Sequence, residues 1–191
     1  MMVGDDDTAD RELIRRAKRG SKSAFGWLVR RYQERVYMLC WRLGGSHDIA
    51  DDLTQEAFIK AYQAIDRFDE RYPFWSWIAK IASNNAINYL QRRRFEVAGE
   101  EGEMVIDQQV ATAADSNPHE SLLQKQIDKR FDEALCRLPV DFRAVFVLRM
   151  HEDLSYDEIA KMLGITIGTV MSRLHRARKK LAEELKDLLE P

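Results

Sequence analysis

The chain has 191 residues, of which 45% are hydrophobic and 32% charged, with a formal net charge of −2. That size and balance fit one or two compact domains. No apolar run is long enough to cross a bilayer and no basic-then-apolar leader opens the chain, so a cytoplasmic location without membrane insertion is expected.

The charge is unevenly spread. Residues 1–95 hold 17 basic and 13 acidic side chains, 96–120 hold 7 acidic and no basic ones, and 121–191 hold 13 basic and 12 acidic. Cys40 and Cys136 each fall in an apolar helical pattern and read as buried free thiols. His47, His119, His151 and His175 show no ligand spacing with one another or with the cysteines. Neither a disulfide framework, a metal site nor a cofactor is expected.

In chain order, apolar residues recurring every three or four positions predict a first helix over 10–19, with Leu13, Ile14 and Ala17. A longer helix over 23–43 carries Phe25, Leu28, Val29, Tyr32, Val36, Leu39, Cys40 and Leu43, and Gly44-Gly45-Ser46 breaks it. Helices over 48–65 and 74–93 follow. Residues 96–120 show no sustained period and contain two glycines and Asn117-Pro118, the pattern of an extended linker too long for an ordinary loop. Helical patterns resume at 121–138, stop at Pro139, and return at 141–150. Nothing alternates with period two. The expected fold is all-α: two small helical domains, 1–95 and 121–191, joined by a flexible acidic linker, 96–120.

The helix over 48–65 has an unusual outer face. Ile49, Ala50, Leu53, Ala57, Ala61, Ala64 and Ile65 form its buried side, leaving Asp48, Asp51, Asp52, Gln55, Glu56, Ile59 and Tyr62 outward. Like charges at i,i+3 and i,i+4 each cost a few tenths of a kcal/mol, about 0.2–0.5. Asp48 and Asp51 recover part of that at the helix N-terminus. Three readings stand: a solvated acidic face, a magnesium site for phosphate chemistry, or a docking surface for a basic partner. The magnesium site needs a second acidic cluster opposite, which residues 1–95 lack. The docking reading uses Ile59 and Tyr62 as apolar anchors within a polar rim.

The segment 74–94 combines Phe74, Trp75 and Trp77 with Asn84, Asn85, Asn88, Tyr89 and three consecutive arginines. The aromatics fit a core. Asparagine gains nothing from a solvated mid-helix position, so three within five residues point to work for their amides. Amides and aromatics beside arginines suit unstacked bases on a single-stranded backbone.

Residues 154–180, LSYDEIAKMLGITIGTVMSRLHRARKK, carry two helical patterns joined by a turn at Gly164-Ile165-Thr166. Ser155 and Glu158 have capping-box spacing, and Thr166 suits the N-cap of the second helix. Ile159, Ala160 and Leu163 form one apolar side; Val170, Leu174, Ala177 and Leu181 form the other. This is helix-turn-helix geometry, with the second helix sized for the major groove. Its outer side presents Gly168, Met171, Ser172, His175, Arg176 and Lys179, with Arg173, Arg178 and Lys180 on the flanks. Arginine can bridge guanine O6 and N7, whereas flanking cations hold phosphates without reading sequence. A helical hairpin with a solvated basic face is the plainer alternative.

Taken together, these motifs resemble a bacterial RNA polymerase sigma factor of the sigma-70 family, in the extracytoplasmic-function (ECF, RpoE-like) group. The resemblance runs through AFGWLVRRYQERV, DIADDLTQEAFIKAY and FWSWIAKIASNNAINYL, then LPVDFRAVFVLR, LSYDEIAKMLG and IGTVMSRLHRAR. Met171 stands where the family often has lysine or arginine.

The resemblance implies a transcription initiation factor without covalent chemistry, cofactor or metal, monomeric when free. It implies that Asp48, Asp51, Asp52, Gln55, Glu56, Ile59 and Tyr62 dock on the β′ coiled coil of core RNA polymerase. Melted −10 bases of promoter DNA would fall to Lys80, Asn84, Asn88, Arg92, Arg93 and Arg94. The −35 duplex would fall to Arg149, Thr169, Met171, Ser172, Arg173, His175, Arg176 and Lys179 on a domain that also docks on the β flap. An anti-sigma factor, possibly membrane-anchored, is an expected partner. Two other functions stay open on residues alone: a stand-alone helix-turn-helix regulator and an enzyme using the carboxylates between Asp48 and Glu56.

Overall fold

A computed structural model describes the backbone of residues 4–99, 122–152 and 154–186, and side chains for 9–93, 126–152 and 154–186. Among the described residues the fold is all-helical, without strands. The helices are α1 (Gly4–Lys18), α2 (Lys22–Gly44), α3 (His47–Ala64), α4 (Phe74–Gly99), α5 (Leu122–Arg137), α6 (Val140–Met150), α7 (Tyr156–Leu163) and α8 (Ile167–Glu184). A short 3-10 turn, Ile65–Arg67, follows α3.

Local chemistry sets most boundaries. The Ser21 hydroxyl accepts from the N–H of Ala24 and starts α2; Ser46 does the same for Ile49 and starts α3. Such caps satisfy orphan N–H groups at a helix start. Between them Gly45, at φ 82°, ends α2 and donates its N–H to the Trp41 carbonyl. A side chain is disfavoured in that left-handed conformation. Two expected boundaries move outward. The first helix starts at Gly4 rather than residue 10. The helix expected to end at 93 runs to Gly99, because 94–98 contain no glycine or proline to stop it. Residues 96–99, read as linker, are therefore helical, and 100–120 lie outside the described residues.

In the N-terminal half, α2 packs on α1, α3 and α4. Leu28, Leu39, Leu43, Leu53 and Ile78 are fully buried there, each stabilising the fold by about 1.5–3 kcal/mol. Phe74 and Trp75 are core residues, as their pattern suggests, and Phe58, absent from the expected core, joins them. Ile49 and Ala64, expected inside, are only half-buried. In the C-terminal half, α6 and α7 pack on α8. Both cysteines are free and buried.

The tertiary structure adds one feature that no local pattern announces. Helices α2 and α4 also touch α5, α6 and α7, so the two halves lie against each other.

Candidate nucleic-acid interface

The helix-turn-helix forms as its caps predict. Ser155 N–H donates to Glu158 Oε2 at 2.8 Å, while the Glu158 N–H donates to Ser155 Oγ at 3.3 Å. The Ser155 hydroxyl, which donates to Glu158 Oε2 at 2.7 Å, and then the Ser155 N–H hold the Glu158 carboxyl below its usual range. Gly164, at φ 66°, closes α7, and Thr166 Oγ1 accepts from Thr169 N–H at 3.2 Å to open α8. Val170, Leu174, Ala177 and Leu181 are buried, so the opposite side of α8 is fixed outward. Met171, Ser172, His175, Arg176 and Lys179 are all exposed, Met171 at 54%. Arg178 and Lys180 are exposed beside them.

Three residues expected on this face are differently engaged. Arg149 donates Nη1 to the Leu154 carbonyl at 3.2 Å and lies 5.7 Å from the Tyr156 ring centre, bracing the α6–α7 turn. Thr169 is half-buried, its hydroxyl 2.9 Å from that of Thr166. Arg173 is half-buried and sits 3.4 Å from Asp141 of α6.

On α3 the whole expected row, Asp48, Asp51, Asp52, Gln55, Glu56, Ile59 and Tyr62, is exposed. Ile59 is 56% exposed and Tyr62 36%, in the middle of the acidic surface. Tyr62 is braced from below by Phe25 of α2, ring centres 5.0 Å apart, edge to face. Sequence reasoning missed Lys60, whose Nζ lies 2.6 Å from Glu56 and 2.7 Å from Asn85 Oδ1 of α4. The i,i+4 spacing from Glu56 was the available signal.

On α4, Lys80, Asn88, Arg92 and Arg93 are exposed and Asn84 is half-buried; the side chain of Arg94 lies outside those described. Asn85 departs from its neighbours: it is buried, and its carbonyl oxygen takes the Lys60 bond. Its Nδ2 is buried without a hydrogen-bond partner. Asn84 and Asn88 share a stripe with Ile87 and with Gln91, a further polar residue at the same helical period that the sequence reading passed over. All four line a cavity of about 220 Å³, whose other wall is Asp141, Ala144, Leu163, Ile165 and Arg173.

Among the described residues, no three His, Cys, Asp or Glu side chains are grouped to hold a metal ion. No described helix is long and apolar enough to cross a membrane.

Comparison with known proteins identifies the family. Residues 28–96 match Sigma-70 region 2 and residues 128–181 match Sigma-70, region 4. The chain is 35% identical over 184 residues to the ECF RNA polymerase sigma factor SigW of Bacillus subtilis, covering 93% of this chain and 97% of that one. It is 37% identical over 185 residues to the ECF sigma-E factor of Escherichia coli K12, covering 94% and 96%. Among solved structures, it resembles the sigma factor RpoE of Bartonella quintana in complex with the anti-sigma factor NepR, with TM-score 0.68 and 28% identity over 85% of this chain and 96% of that one. It also resembles CnrH in complex with the cytosolic domain of CnrY, with TM-score 0.62 and 27% identity over 94% and 98%. An all-helical chain that matches both sigma regions in order, and its relatives over nearly their whole length, belongs to the ECF group of sigma-70 family RNA polymerase sigma factors, which are promoter-specific transcription initiation factors.

Proposed function

We propose that each face has a distinct role in initiation. The row from Asp48 to Tyr62 docks on core RNA polymerase at its β′ coiled coil. Lys80, Asn84, Asn88, Arg92, Arg93 and Arg94 take the melted −10 strand. The exposed side of α8 reads the −35 duplex with Ser172, His175 and Arg176, with Met171 and Lys179 beside them, and this C-terminal half also meets the β flap. The factor performs no covalent chemistry. Its contribution is differential affinity: capturing unstacked bases favours the melted promoter over the duplex. It works in the cytoplasm, where the polymerase acts.

The observation that carries the docking role is the exposure of Ile59 and Tyr62 inside a ring of acids. Large apolar groups held rigid in a polar rim are how a protein interface gains affinity and register together. The solved RpoE of Bartonella quintana was captured with the anti-sigma factor NepR, and CnrH with the cytosolic domain of CnrY. That supports a partner of the same class here, membrane-anchored or free.

Ile59→Asp and Asp52→Lys test the docking face, since both positions point outward and the fold survives. Loss of a central anchor should weaken binding to core polymerase by about 2 kcal/mol or more. If both variants co-elute with core polymerase as the parent does, the face is wrongly assigned.

A further inference from the structure

The outer side of α8 is polar except at its start. Ile167 is 45% exposed and Met171 54%, one turn apart, and no other large apolar residue of this helix is exposed. The core contact is already made by Val170, Leu174, Ala177 and Leu181. Farther along the helix, Arg176, Arg178, Lys179 and Lys180 are exposed. Apolar surface and positive charge are thus separated along the helix, a division that a merely solvated face does not need.

Gly168 lies between the two apolar side chains, in the first turn. A Cβ there would meet only Thr166 Oγ1, at 3.9 Å, so nothing within the chain crowds the position. The backbone is helical, and a glycine there costs helix stability without an internal reason. A bare Cα flanked by Ile167 and Met171 lets the helix come close to a surface outside the chain.

The N-terminal residues of a recognition helix reach the base edges on the floor of the major groove. Those edges are hydrogen-bonding groups, apart from the C5-methyl of thymine. Over guanine, adenine or cytosine, Ile167 and Met171 would take water from polar groups and return no bond. Over thymine they bury one apolar group against another. Met171 is unbranched and adjusts its reach to the methyl. An apolar protein surface would also cover the pair, but the cations beyond it favour a polyanion.

We propose that Ile167 and Met171 read the C5-methyl of thymine in the −35 duplex, with Gly168 as the point of closest approach. This selection rests on the duplex-reading role of α8 given above. Ser172, His175 and Arg176 supply hydrogen bonds to base edges, and the apolar pair supplies the preference for thymine beside them.

The test uses the full chain assembled with core RNA polymerase. A pool of random-sequence DNA duplexes is enriched for binding and sequenced, and the element that Arg176→Ala fails to select is taken as the −35 site. Each thymine in it is then replaced in turn by deoxyuridine, which deletes the methyl and keeps every hydrogen bond. Affinity should fall by about threefold to fivefold at one or two thymines, the worth of one buried methyl, and stay unchanged at the rest. At those positions Met171→Ala or Ile167→Ala should bind the thymine and deoxyuridine duplexes alike. Both variants should unfold in urea near the parent's midpoint, since neither side chain belongs to the core. The thymine contact is overturned if the site lacks thymine, if no deoxyuridine duplex differs from its parent, or if the loss persists in both variants. Where exchanges of whole base pairs matter but methyl deletion does not, α8 still reads duplex and only the apolar contact falls. Where Arg176→Ala selects the same elements as the parent, the duplex-reading role falls with it. Weaker binding of both variants to core polymerase without DNA would assign the pair to a protein contact instead.

Discussion

Lys60 Nζ lies 2.7 Å from Asn85 Oδ1 and ties the acidic helix α3 to α4, the helix that carries the Asn84–Asn88 stripe. Asn85 is buried while Asn84 and Asn88 face the cavity, so three asparagines within five residues divide into two jobs. Asn85→Ala should lower the unfolding free energy by about 1 kcal/mol, the net worth of one hydrogen bond. It should leave promoter melting near the parent level at temperatures where the fold is intact. Urea unfolding checks the first statement and permanganate footprinting of the open complex checks the second.

Asn84→Ala and Asn88→Ala are expected to behave in the opposite way. Each removes a proposed base contact without touching the core. Open-complex formation should drop on duplex promoters and much less on templates with a pre-melted bubble, where the cost of unpairing has already been met. Equal defects on both templates would assign these residues to folding or docking.

Arg176 and Lys179 are both exposed on α8 but are expected to differ in kind. Arg176→Ala should cost roughly 1–3 kcal/mol on the preferred −35 duplex and relax selectivity at one base pair. Lys179→Ala should weaken binding to all duplexes and flatten the dependence on salt. Lys179 also lies 3.9 Å from Glu183, an exposed pair of little worth that DNA can replace. A uniform loss for Arg176→Ala would move it to the phosphate-binding class.

His151 and Asp132, both under the influence of Arg42 of α2, should titrate in opposed directions. Burial, helped by Arg42 of α2, holds His151 down to about 4 from 6.5. Its neutral form is favoured in the fold, so its stabilising contribution is present above pH 6.5 and is lost as pH falls toward 4. Burial pushes Asp132 of α5 up to about 6 from 3.8, with Asp128 adding to the shift and Arg42 opposing it. Its contribution is present at low pH and is lost as pH rises through 6. Between pH 6.5 and 4 the two slopes cancel in part. His151→Phe should make the protein resist acid better than the parent, and Asp132→Asn should make it lose stability more steeply. Urea midpoints at four pH values across that window measure both; parallel curves for all three proteins would contradict the assignment.

The helices and their order were legible in the sequence, because the information that builds them is local. Ser21, Ser46, Ser155 and Thr166 cap helices through bonds to residues three positions away, and Gly45 and Gly164 end helices through their own backbone freedom. The apolar period of α8 sets which side is buried, and with it the outward position of Ser172, His175 and Arg176. The exposed row on α3 follows from the same periodicity. The motifs also carried the resemblance to the family that the matches show. The tertiary structure decided everything that depends on partners far along the chain. Burial of Asn85 needs Lys60 from another helix, and the half-buried state of Arg173 comes with Asp141. The meeting of Arg35 with Glu152 spans 117 positions in sequence. No period or cap encodes such pairs, since they arise from which helix surfaces fit together once side chains and charges compete for the same contacts. That Asn84 is half-buried while Asn88 is exposed was therefore settled by packing, and not by the pattern that picked those residues out.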